Sequence, residues 1–172
     1  MQEAELEFTD GSNGPALVLT GLVGAVEKGD DVVANTTAVE LGLGSGGYNF
    51  VLWNLSRDML DIPSGGHIMK LRYTPLQSDV KAVEERLVSD TGKYGDVEGS
   101  LEGMPVIAGS LHSQLLAVAL AYRDTKPDGH LVYVMTDGGS LPIEFSDTVR
   151  FLKDGGYVDS TITCGHAFGG DY

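Results

Sequence analysis

Two patterns in the sequence predict a mixed α/β protein. Short strands punctuated by glycine run over residues 1–75, and strands alternate with helices over 104–172, joined by a helix and a glycine-rich connecting loop at 76–103. The first pattern predicts a β-rich, antiparallel, barrel-like module, because strands joined at such short spacings pair with their neighbours. The second predicts a three-stranded parallel βαβαβ unit, because strand, helix, strand connections build parallel sheets with right-handed crossovers. A chain of 172 residues accommodates both and buries about two-thirds of its unfolded surface without disulfide or metal support.

In the first module, Glu3-Ala4-Glu5-Leu6-Glu7-Phe8 alternates strictly, which is the period of a strand with one buried face. Asp10-Gly11 and Asn13-Gly14 supply turn chemistry after it. Ala16–Leu19 and Leu22–Val26 are short apolar runs, and Lys28-Gly29-Asp30 turns the chain into Val32–Leu41, a strand rich in valine and threonine. His67–Tyr73 is a further strand that Pro75 stops. Ser78 then caps a helix carrying Val80, Val83 and Leu87 on one face. Ser89–Gly103, with Gly92, Gly95, Gly99 and Gly103, reads as a loop or loose hairpin at a domain boundary.

In the second module, Val106-Ile107-Ala108 is a short buried strand. Ser110 caps a helix whose apolar face is Leu111, Leu115, Val118, Ala119 and Tyr122, and Pro127-Asp128-Gly129 ends it. Leu131–Met135 is the second strand. A helix around Pro142–Lys153 follows, with Phe145, Val149 and Leu152 inward and Gly155-Gly156 as its stop, before a third strand at Thr161–Cys164.

Open parallel sheets place ligands beyond the carboxyl ends of their strands. The three exits here are Gly109-Ser110-Leu111-His112-Ser113, Thr136-Asp137-Gly138-Gly139-Ser140 and Gly165-His166-Ala167-Phe168-Gly169-Gly170-Asp171. His112, in the first turn of its helix, is kept neutral by the dipole and suits coordination or acid–base work; an ordinary capping-turn histidine explains it as well. Asp137 ligates a divalent cation or orients a histidine, against an Asx turn before Gly138-Gly139. His166 and Asp171 flank glycines whose backbone N–H groups approach an anion, against a plain glycine-rich turn. The expected catalytic set is therefore His112, Asp137 and His166, and Asp171 joins them as metal ligands. Gly138, Gly139, Gly169 and Gly170 form the anion-binding backbone. Cys164 reads as a buried structural thiol, because free cysteine is usually core. Ser110 has no G-x-S-x-G elbow around it, and capping accounts for it.

A competing motif is Glu40-Leu41-Gly42-Leu43-Gly44-Ser45-Gly46-Gly47, which satisfies G-x-G-x-x-G and resembles the first motif of S-adenosylmethionine-dependent methyltransferases. That reading needs the loop to open a helix, and Val51, Leu55 and Met59 at i, i+4 and i+8 permit one over Tyr48–Leu60. The next strand ends in Thr74-Pro75 rather than the acidic residue that a ribose-binding strand offers, which weighs against it.

Several longer stretches carry a resemblance: Asn35–Gly44, His67–Gln77, Ala108–Gln114, Val134–Gly139 and Thr163–Asp171. Together they resemble an uncharacterised bacterial family, the domain of unknown function 3866 family. The resemblance covers nearly the whole chain and implies that the Gly42 motif belongs to the β-rich module. It supplies no reaction. It also implies that this is an N-terminal portion of a longer family protein, in which a further helix follows the third strand.

Charge sharpens the functional expectation. Eleven basic and 25 acidic residues give a net charge of −14, which works against nucleic acid and anionic membrane surfaces as partners. No apolar run approaches the ~18 residues of a membrane span, no secretory leader is visible, and the single cysteine fits a reducing compartment. A cytoplasmic location follows as the expectation. The function expected is a small-molecule-binding enzyme or enzyme fragment, with a metal or anion site at the strand ends and a divalent metal ion as the cofactor to look for. A −14 surface repels a free anion unless a metal or a local basic cluster reverses the field, and Lys70 with Arg72 is the nearby basic pair. The alternatives are a non-catalytic ligand-binding or regulatory module, with a homo-oligomer as a further partner class, and a methyltransferase.

Overall fold

A computed structural model of the chain describes residues 1–63, 65–86, 100–139 and 142–172. It is a mixed α/β structure divided into two compact units, Met1–Pro63 and Ser64–Tyr172. The division falls ahead of residue 75 and groups His67–Tyr73 with the second unit. No helix among the described residues is long and apolar enough to cross a membrane.

The first unit contains β1 (Gln2–Glu7), β2 (Asn13–Val18), α1 (Thr20–Val23), β3 (Val32–Asn35), α2 (Thr37–Glu40) and β4 (Asn49–Asn54). Their sheet has the order β1-β2-β4-β3, with β1 and β3 at its edges, so it does not close into a barrel. The expected run of antiparallel neighbours breaks because β2 pairs with β4 in parallel, and parallel partners need a crossover. The segment carrying α1, β3 and α2 supplies it. β1 keeps its predicted alternation, with Glu3, Glu5 and Glu7 exposed and Ala4 and Leu6 turned inward. Ala16, Leu17 and Val18 of β2, Val23 and Val51 are buried, and because consecutive strand residues alternate, β2 is covered on both faces at its end.

Three local readings are corrected in this unit. The turn after β1 is made at Asp10-Gly11, where Asp10 Oδ1 accepts the Ser12 N–H (2.9 Å), and Asn13-Gly14 already belongs to β2. Val32–Leu41 is not one strand: Asn35 Oδ1 accepts the Thr37 N–H (3.0 Å), an Asx turn that opens α2. Tyr48–Leu60 is not a helix, since Asn49–Asn54 is β4. Its i, i+4, i+8 spacing misled because four is also a multiple of the strand period.

The second unit contains β5 (Ile68–Lys70) and β6 (Ser78–Val80), paired antiparallel, then a helical turn at 83–86. After it come α3 (Gln114–Thr125), β7 (Val132–Met135), a 3-10 turn (Ile143–Phe145), α4 (Asp147–Asp154) and β8 (Ser160–Thr163). β7 and β8 pair in parallel with Val132 opposite Ser160 and Met135 opposite Thr163. The core is Leu115 and Ala119 of α3, Met135, Ile143, Val149 and Leu152 of α4, with Val158 and Ala167.

Among the described residues the parallel sheet of this unit has two strands, β7 and β8, in place of the three expected of a βαβαβ unit. Val106-Ile107-Ala108 forms no strand, and Val106 and Ile107 are 72% and 62% exposed. Three apolar residues in a row carry no period, so nothing in them distinguished strand from loop. Ser110 caps no helix: α3 begins at Gln114, whose Oε1 accepts the N–H groups of Ser110 (2.9 Å) and Leu111 (3.1 Å). Ser78 is likewise a strand residue rather than a cap. Leu87 and most of the Ser89–Gly103 loop lie outside the described residues, as does Ser140.

Candidate functional site

The carboxyl ends of β7 and β8 lie side by side, because Met135 faces Thr163 and the Cys164 N–H donates to the Met135 carbonyl (2.9 Å). Asp137 follows β7, and its Oδ1 accepts the His166 backbone N–H. Gly165 makes that approach possible. Its φ is +61°, which favours glycine, and a Cβ at this position would have to displace the Asp137 carboxylate. Two of the expected site residues, Asp137 and His166, are thus brought together.

Lys70 of β5 completes the arrangement. It is 4% exposed, and its Nζ donates to the carbonyls of Gly165 (2.7 Å) and Thr163 (3.3 Å). A buried ammonium is costly unless acceptors meet it, and the carbonyls at the end of β8 do so. Burial pushes its pKa below the ordinary 10.5, and the neighbouring Cys164 and Asp137 side chains oppose that shift. Cys164 is exposed, which corrects the buried structural thiol. β8 ends at Thr163 and the chain turns at Gly165, so Cys164 leaves the sheet before anything covers it.

These groups line a cleft of about 800 Å³ within the second unit. Its charged lining is Lys70, Arg72, Lys81 and Arg86 against Asp137 and Glu84. Arg86 lies over the Tyr172 ring, 5.5 Å from its centroid. His67, also on the wall, pairs with Glu85, and His166 Nδ1 is buried with no hydrogen-bond partner among the described residues. Among the described residues the lining holds more cations than carboxylates, in a chain that carries −14 overall. Lys81, Arg86 and Tyr172 went unnoticed in the sequence. The usable signal was Lys70 itself, a lysine inside the apolar run Ile68-Met69-Lys70-Leu71.

Other expected site residues do structural work. His112 stands in the turn before α3 rather than in a helical first turn, so the dipole argument does not apply to it. Its Nδ1 is 2.8 Å from Tyr133 Oη and its Nε2 is 2.6 Å from Ser146 Oγ. Ser146 in turn caps α4 by accepting the Val149 N–H (3.2 Å). Both hydroxyls can donate or accept, so either neutral tautomer is satisfied; burial lowers the His112 pKa. The residue pins α3's approach to β7 and α4.

Asp171 Oδ2 accepts from the Thr161 N–H (2.8 Å), the Thr161 hydroxyl (2.9 Å) and the Lys153 ammonium. Burial works to raise its pKa, but these donors outweigh it and the net shift is downward. Asp171 therefore ties the last residues to β8. Gly170 packs against the same strand, where a Cβ would sit 3.0 Å from Thr163 Cγ2. Gly169 and Gly170 line the cleft. Gly138 and Gly139 form a turn in which the Gly139 N–H donates to the Thr136 carbonyl (2.9 Å). Among the described residues no group of three or more His, Cys, Asp or Glu side chains is placed to hold a metal. The quartet of His112, Asp137, His166 and Asp171 is not assembled.

The Gly42–Gly47 loop also departs from its expected context. It follows a helix, α2, and precedes a strand, β4, the reverse of the strand, loop, helix order that a cofactor-binding glycine loop requires.

A protein-family model matches residues 15–172, that of the protein family of unknown function DUF3866. The chain belongs to this family. No curated protein and no solved structure matches it. In this DUF3866 chain the matched residues span the whole cleft, from His67 to Tyr172, and the sheet of the first unit from Pro15 of β2 onward.

Proposed function

We propose that the chain is a small-molecule-binding domain whose cleft, at the carboxyl ends of β7 and β8, takes a small anion. The observation that carries this reading is the buried Lys70, which lines the cleft together with Arg72 and Lys81 in a strongly acidic chain. A fixed cation in a partly desolvated site attracts an anion far more strongly than one on an open surface. Local positive charge also meets the objection that a −14 molecule repels anionic ligands.

The metal-bridged version has less support, since the residues expected to ligate are occupied elsewhere: His112 by two hydroxyls and Asp171 by Lys153 and Thr161. Turnover would rest on Cys164 and Asp137, which line the same cleft. Binding without turnover makes the chain a regulatory or carrier module.

The test is thermal stabilisation by phosphate, sulfate and simple carboxylates, each against chloride at matched ionic strength, with Mg²⁺, Mn²⁺ and Zn²⁺ in parallel. A ligand at a hundred times its Kd stabilises the fold by about 2.7 kcal/mol. The reading predicts stabilisation by at least one anion and its loss in the Arg72→Ser, Lys81→Ser double variant. Stabilisation by a divalent cation alone would overturn it.

A further inference from the structure

We infer that the ligand of the cleft is an amphipathic anion: one anionic head, a carboxylate or phosphate monoester, on a hydrocarbon or aromatic body. This rests on the anion-binding reading and names its substrate class. A volume of about 800 Å³ lies within the range of complete small-molecule sites, roughly 300–1,000 Å³. A bare phosphate or sulfate occupies a small part of that space.

The remaining wall is apolar. Ile68, Met69, Val80, Val83 and Ile162 line the cleft, and Ile68 is paired with Val80 across the β5–β6 ladder, so these two share one surface. Ile68 and Met69 are 44% and 47% exposed. Apolar side chains left open to water inside a concave, cation-bearing site gain by being covered, and that gain scales with the area removed from water. Lys70 lies directly after them on the same strand, its ammonium fixed by the Gly165 and Thr163 carbonyls. Cationic and apolar side chains therefore share one cleft lining. Asp137 and Glu84, on the same lining, oppose a ligand of high negative charge. One head and an apolar body fit this combination better than a polyphosphate.

Binding is to be measured by titration calorimetry on the whole chain with acetate, butyrate, hexanoate and octanoate, with hexyl phosphate, inorganic phosphate and octylammonium as comparison arms. Affinity is expected to rise about two- to fourfold per methylene along the carboxylates. Octanoate should slow Cys164 alkylation by iodoacetamide, because Cys164 lines the same cleft, and octylammonium should not. Lys70→Met removes a buried anchor and risks unfolding. The exposed Arg72 and Lys81 supply the second variant: their serine double variant should weaken every carboxylate while keeping the dependence on length. Ile68→Ser should flatten that dependence. Equal affinity from acetate to octanoate, or inorganic phosphate binding at least as tightly as octanoate and hexyl phosphate, would overturn the inference while leaving an anion site in place. Equal protection by octylammonium would overturn it too. Binding of no anion at all would remove both readings. Hexyl phosphate against hexanoate decides which head is preferred.

Discussion

Lys70 and Gly165 act as a pair, because the ammonium of one is held by the carbonyl of the other, and Gly165 also gives the Asp137 carboxylate its room. Gly165→Ala would force a left-handed backbone on a residue with a Cβ and push that Cβ into Asp137. The expected destabilisation is about 1–3 kcal/mol, measured by urea unfolding, together with weaker anion binding. His112 makes a separate prediction about pH. Its pKa is depressed by burial below the ordinary 6.5, so the unfolded chain takes up the proton first. Its contribution is fully present above about pH 6.5, falls as pH drops toward the folded-state pKa, and is flat below it. His112→Phe should lose that dependence in a series of unfolding curves between pH 7 and 5. The variant also strands the Tyr133 and Ser146 hydroxyls, at a cost of about 1–3 kcal/mol.

Among the elements, α4 shows what was legible in the sequence. An inward Val149 and Leu152 and the stop at Gly155-Gly156 were readable, but the helix begins at Asp147 with Ser146 as its cap rather than around Pro142, where the chain makes a 3-10 turn at Ile143–Phe145. Ser146→Ala should cost about 1 kcal/mol for the cap alone. A double-mutant cycle with His112→Phe should give a coupling of about 0.5–3 kcal/mol, because the two side chains are in contact. β1, β7 and β8 were legible for the same reason as α4: each has a period or a bounded apolar run. Val106-Ile107-Ala108 was misread because it has neither, and Ser110 because serine serves turns as readily as caps. Hydrogen exchange checks this correction directly. The amides of Val106, Ile107 and Ala108, outside any ladder, should exchange fast, and those of β7 and β8 slowly; slow exchange at 106–108 would restore the third strand. The cleft was less legible still, since its walls come from β5, the turn at 83–86 and the end of β8, and no local pattern announces which distant side chains will meet.

At the scale of the molecule, the decisive contrast is between global and local charge. The chain at −14 should repel anionic reagents, yet among the described residues the lining of the cleft in the second unit carries Lys70, Arg72 and Lys81 alongside Asp137 and Glu84. Fields of this kind fall off within about a Debye length, roughly 10 Å at 0.1 M salt, so a local cluster can dominate its own site. The single cysteine stands in that cleft and reports on it without any ligand being known. The measurement is the alkylation rate of Cys164 by anionic iodoacetate relative to neutral iodoacetamide, in the folded chain and in urea. A positive cleft predicts a higher ratio in the folded chain, reduced by added salt and by the Arg72→Ser, Lys81→Ser variant. A lower ratio in the folded chain than in urea would mean that the acidic surface governs the cleft, and would contradict the account.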